Sequence, residues 1–224
     1  MAASHPLEPL TAEEISMATR LLKSEQDLTD DHRFVSVVLR EPPKEKVVGF
    51  DNGENGEPVE REAFAILLDR SDGKAYEAVV SLSEGAVRSF KHIPGVQPQV
   101  ILDEFFECEE IVKNSSEVQE ALRKRGIEEF EGVMVDPWST GHYGDEEDGR
   151  LLRGLVWIKQ GGPDDNGYAH PVENLVVYVN TNEGRVAKVE DYGVVPVPQE
   201  PGNYTPDAVG QMRTDLKPVE ITQP

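Results

Sequence analysis

At 224 residues, with 38% hydrophobic and 29% charged residues, the chain can form one large domain or two ordinary ones with real cores. Its net charge of −21 disfavours nucleic acid and anionic membrane and favours cations: amines, polyamines, metal ions or basic proteins. No window approaches the ~20 apolar residues of a membrane span, and Cys108, the single cysteine, permits no internal disulfide. The start, MAASHPLEPL, lacks a basic n-region and an apolar h-region, so it does not read as a secretory signal. A reduced, cytoplasmic setting fits both features.

Residues 1–10 are expected to be frayed. Thr11 and Glu14 then form a capping box, and Ile15, Ala18, Leu21 and Leu22 recur at helical spacing, which predicts a helix over 12–23. A strand follows over 33–40, stopped by Pro42-Pro43, with a short edge piece over 47–50. Residues 51–58 read as loop. Strands over 62–69, 74–82 and 86–92 are separated by turns at Ser71-Asp72-Gly73 and Glu84-Gly85. Pro94 to Pro98 marks a boundary.

Beyond it, Ile101, Phe105, Cys108, Ile111 and Val112 fall on one helical face. Asn114-Ser115-Ser116 breaks that helix and caps another, which carries Val118, Ala121 and Leu122 and ends at Lys124-Arg125-Gly126. Val133-Met134-Val135 is a short strand, and residues 136–150 form a polar loop with an acidic tip at 145–148. Three strands follow: one around Leu155 to Ile158, one over 175–179, and one around Val186 to Val189. Thr181-Asn182-Glu183-Gly184 turns the last hairpin. From 194 to 224, prolines at 196, 198, 201, 206, 218 and 224 exclude long regular structure and predict an extended arm.

Each half therefore reads helix, strand, long loop and three-strand meander, with a period of roughly 95 residues, too long for a solenoid. The predicted fold class is α+β: two related small domains, each an antiparallel sheet with helix packed on one face (cystatin-like). The expected boundaries are 11–95 and 96–193, with an arm over 194–224.

The chemistry-bearing motifs are few. Residues 51–56 with Glu62 nearly match a calcium loop, but Gly53 replaces a ligand and no helices flank it, so a β-loop is the better reading. The five histidines show no zinc or copper spacing, and His170, beside Pro171 at a strand entrance, reads as structural. No GxSxG or phosphate loop occurs, and Cys108 lies on a buried face where a thiol is inert. What stands out is a set of aromatics in unexpected places. Phe106 adjoins Phe105, and both cannot face one core. Trp138 follows Pro137 in a polar loop, and Tyr168 ends another. Core packing or loop anchoring would explain each singly; together they suggest a shared apolar surface that lines a pocket or meets another domain.

Several segments resemble the non-catalytic N-terminal part of bacterial copper amine oxidases. They are RLLRGLVWIK at 150–159, YAHPVENLVVYVN at 168–180, YGVVPVPQEPGNYTPDAVGQMRTDLKP at 192–218 and EITQP at 220–224. The resemblance implies two small α+β domains that precede a large catalytic domain, oxidative deamination of primary amines, copper and topaquinone in the full-length homodimeric enzyme, and neither cofactor bound by this chain. The family's T-x-x-N-Y-[DE] motif is absent: before Asn203-Tyr204, position 200 is Glu, and Thr205 follows where an acid is required. No catalytic or metal-binding residue is carried over. The resemblance also implies that the second domain walls the amine channel, with Phe106, Pro137, Trp138 and Tyr168 as substrate-channel residues. The expected role is an accessory region that docks on the oxidase domain. The alternative is a free-standing α+β binding module without enzymatic role.

Overall fold

A computed structural model describes residues 5–54, 59–141, 149–162, 164–200 and 202–210. The acidic tip at 145–148, His142, the second half of the 51–58 loop and the C-terminal segment with EITQP lie outside the described residues. The chain divides into two compact units. The first comprises residues 1–103 with 141–151 and 181–183; the second comprises 104–140, 152–180 and 184–224.

The first unit begins with a turn closed by Glu8 N–H donating to His5 O. Helix α1 (Ala12–Glu25) follows, and its capping box forms as predicted: Thr11 N–H donates to Glu14 at 2.8 Å and Glu14 N–H to Thr11 Oγ1 at 3.2 Å. The sheet is β1 (His32–Arg40), β2 (Glu62–Asp69), β3 (Lys74–Ser81) and β4 (Ala86–Ile93), in the order β1-β2-β3-β4 with every pairing antiparallel. Period-2 alternation sends Ala63, Ala65 and Leu67 of β2, and Ala78 and Val80 of β3, to one face, where they pack with Ala18 and Leu22 of α1. Three alanines in the centre of that face leave room for the helix to lie close. Between β1 and β2 the structure departs from the sequence reading. Residues 44–51 form helix α2 (Lys44–Asp51), not an edge strand. Pro43, which ends β1's extended run, serves as the helix N-cap, where a missing N–H costs nothing. Helix α2 buries no residue, so it shows no amphipathic pattern.

The second unit repeats the plan. Helices α3 (Leu102–Asn114) and α4 (Ser116–Arg123) precede β5 (Val133–Ser139), β6 (Leu151–Ile158), β7 (Pro171–Asn180) and β8 (Arg185–Asp191), again in sequential order in one sheet. Ser115 caps α4, accepting from Val118 N–H. The buried stripe of α3 is Glu104, Cys108 and Val112, rotated one residue from the predicted face, so Phe105 is left partly exposed. The turn at 181–184 forms with Gly184 at φ 64°. Both sheets are four-stranded and antiparallel, with helices, and the α+β class holds. No described helix is long and apolar enough to cross a membrane.

Leu22 is fully buried at the centre of the first core. Leu22→Ala is expected to lower unfolding stability by about 2–5 kcal/mol, read as a reduced urea midpoint with unchanged m-value.

Candidate functional site

The residues singled out by sequence all belong to the second unit, and strand β5 positions two of them. Pro137 and Trp138 lie inside that strand, not in a loop: Pro137 pairs with Gly154 and Trp138 with Arg153. The sequence reading ended the strand too early because proline is excluded from central strands. β5 is an edge strand, where proline is tolerated. Pro137 points inward and is buried. Met134, Asp136 and Trp138 point to the opposite face, beside Trp157, Leu155 and Arg153 of β6. Trp138 is 60% exposed there.

Tyr168, 53% exposed, sits in a 3-10 turn (Gly167–Ala169) that rests on this same face. A Cβ on Gly167 would lie 2.3 Å from the Met134 sulphur, so any larger residue would push the methionine side chain aside. The Tyr168 ring meets Trp157 edge-on at 5.3 Å, and its hydroxyl donates to both Asp136 oxygens, at 2.9 and 3.1 Å. That carboxylate, together with partial burial, raises the Tyr168 pKa and keeps the phenol protonated. Phe106, 69% exposed, is placed separately, by α3. One turn along, Glu109 accepts the Val135 N–H at 3.2 Å, which sets this side of the helix against β5.

The turn is held by a group that sequence reasoning missed. The Asp165 carboxylate is 5% exposed and accepts four hydrogen bonds: from Gln160 N–H (2.9 Å), Gly161 N–H (3.0 Å), Gly202 N–H (2.9 Å) and His170 Nε2 (3.0 Å). His170, 1% exposed, also reaches the Pro198 carbonyl through Nδ1 at 2.7 Å. Both ring nitrogens thus face acceptors. A neutral imidazole has one N–H, so donating to both requires the imidazolium. Asn166 N–H donates to Gly202 O at 2.9 Å, and a Cβ on Gly202 would lie 2.3 Å from that of Ala169. These contacts fasten the segment around Pro198 and Gly202 to the turn that carries Tyr168. The same segment starts at a second anchor. The fully buried Arg125 side chain grips Asp191 with both terminal nitrogens (2.6 and 3.3 Å) and donates to the carbonyls of Gly193 (3.0 Å) and Asn174 (3.3 Å). Asn174 is held at φ 61°, a left-handed conformation.

The electrostatics follow from those contacts. Three backbone N–H groups and His170 hold the Asp165 pKa far below its ordinary value of 3.8; the Gly161 amide contributes most. The Asp165 hydrogen bond raises the His170 pKa above 6.5. For His170 the folded pKa is the higher one, so its contribution to stability is fully present below pH 6.5 and is lost as pH rises through the raised value. For Asp165 the folded pKa is the lower one, so its contribution is present above about pH 3.8 and is lost as pH falls through the depressed value. Proton NMR titration of the His170 ring is expected to give a midpoint above 6.5. A midpoint at or below 6.5 would contradict the imidazolium assignment.

Among the described residues no three His, Cys, Asp or Glu side chains converge to hold a metal. His170 is committed at both nitrogens, and burial pushes the Cys108 thiol up to about 12, where it is neither nucleophile nor metal ligand. The described histidines therefore do not fit a copper centre.

Residues 11–90 match the AGAO-like N2 domain family, and residues 103–206 match the family "Copper amine oxidase, N3 domain". The whole chain is 44% identical to a primary amine oxidase of Arthrobacter sp. (strain P1) and 39% identical to a histamine oxidase of Arthrobacter globiformis, covering 34% and 32% of those proteins. A primary amine oxidase of Klebsiella aerogenes is 37% identical over 98% of the chain. The fold matches a copper-containing benzylamine oxidase from Hansenula polymorpha at TM-score 0.75 and 20% identity, covering 98% of this chain and 36% of that one. The chain thus spans about a third of the length of the relatives it matches. It belongs, as their paired N2 and N3 domains, to the copper amine oxidases, a family of oxidoreductases.

Proposed function

We propose that this chain is the N-terminal accessory region of a cytoplasmic, homodimeric primary amine oxidase that uses copper and topaquinone. Oxidative deamination of a primary amine to aldehyde, hydrogen peroxide and ammonia takes place on a catalytic domain outside these residues. This chain docks on that domain, and Phe106, Trp138 and Tyr168 wall the amine's approach, while Pro137, buried on the opposite face of β5, supports the strand that presents Trp138. Alone it neither binds the cofactors nor turns over amines. The observation that carries the reading is the exposure of Phe106, Trp138 and Tyr168 on a unit whose relatives are amine oxidases. Exposed rings gathered on one small unit favour a binding surface over a solvated one. The charge of −21 adds a field that draws in ammonium ions.

In this role Trp138 and Tyr168 act by size. In the full-length oxidase containing this chain, Trp138→Ala is expected to change the kcat/KM ratio between a bulky and a small amine by about tenfold. The shift should lie mainly in KM, because the ring touches no reacting atom. Steady-state kinetics on benzylamine and methylamine check it. An unchanged ratio in both Trp138→Ala and Tyr168→Ala would remove these residues from the amine's path.

A further inference from the structure

The outward face of the second sheet carries a carboxylate that has no cationic partner among the described residues. Asp136 is half-buried, points out between Met134 and Trp138, and among the described residues its side chain accepts only from the Tyr168 hydroxyl. Among the described residues it forms no ion pair, although Arg153 stands diagonally across the register. Around it lie Trp138 on the same strand, Trp157 on the next, and Tyr168, whose ring is fixed by Trp157 and by Asp136 itself. A carboxylate oxygen has two acceptor positions, so one phenol leaves most of the carboxylate's capacity unused.

From this geometry we infer that Asp136, Trp138, Trp157 and Tyr168 form a recognition site for a small organic ammonium ion. The carboxylate accepts the ammonium N–H groups, and the electron-rich ring faces hold the charge and the first methylenes. The ring faces alone favour a cation over an alcohol only modestly; the carboxylate adds a full opposite charge and makes the protonated amine the strongly preferred ligand. Asp136 also fixes Tyr168, so charge and ring are presented together. The site deepens the proposed function, since it selects the form of the amine that travels toward the catalytic domain. Binding to this chain, however, does not depend on that domain.

The chain contains two tryptophans, and both stand on this face, so intrinsic emission reports on the site. We expect a saturable emission change when the 224-residue chain is titrated with n-butylammonium chloride at constant ionic strength. Butanol at equal concentration should give none. In Asp136→Asn the amide oxygen still accepts the Tyr168 hydroxyl while the charge is gone, and binding should weaken at least about fivefold. Glu117→Gln, which removes an exposed carboxylate on α4 and leaves this face untouched, should stay within about twofold of the parent. Thermal unfolding of each variant, read by circular dichroism, establishes that it is folded. No saturable change in the folded parent overturns the inference. So does an equal change in Asp136→Asn, which marks general attraction of cations to an acidic protein, or an equal response to butanol. These failures leave the accessory role standing, because that role is judged by the amine selectivity of the full-length oxidase.

Discussion

The second unit depends on one buried carboxylate. Asp165 has no freedom to be solvated, yet it is ionised, because three backbone N–H groups and one imidazolium converge on it. An acid in that position without those donors would cost several kcal/mol to keep charged. With them it ties three pieces of chain together: the end of β6, the turn at 167–169, and the proline-rich segment near Gly202. The exposed aromatic face inherits its geometry from this knot. Tyr168 stands where it does because Gly167 and Ala169 are pressed between Met134 and Gly202.

Arg125 does the corresponding work at the start of the same segment. Its buried guanidinium satisfies carbonyls that the chain exposes as it leaves β8, and the bidentate pair with Asp191 neutralises it. The proline-rich segment is therefore extended without being loose. Its described residues from 193 to 200 belong to no strand, but it is fixed near both ends by charged, buried groups.

Much of this was legible in the sequence. The capping box of Thr11 and Glu14 gave α1 its start, alternation gave the strands, and Gly184 gave the last hairpin. The aromatics Phe106, Trp138 and Tyr168 stood out because their neighbours made a core position implausible. Other features were hidden for physical reasons. Helix α2 buries nothing, so no periodicity announces it, and Val47-Val48 mimics a strand. Pro137 concealed the second half of β5, because an edge position cannot be read from one strand. Asp165 was invisible among 43 acids. Its one hint is Gly161-Gly162 followed by Asp165 and His170, a loop in which free amides and a histidine can close on a carboxylate.

The central claim is that the Asp165 carboxylate binds the proline-rich segment to the aromatic face. Amide hydrogen exchange at Gly202, followed by NMR in the parent and in Asp165→Asn, tests it most directly. The account predicts slow exchange at Gly202, Gly161 and Gln160 in the parent, and a joint loss of protection in the variant while the amides of β7 stay protected. Fast exchange at Gly202 in the parent, or protection that survives Asp165→Asn, would contradict it.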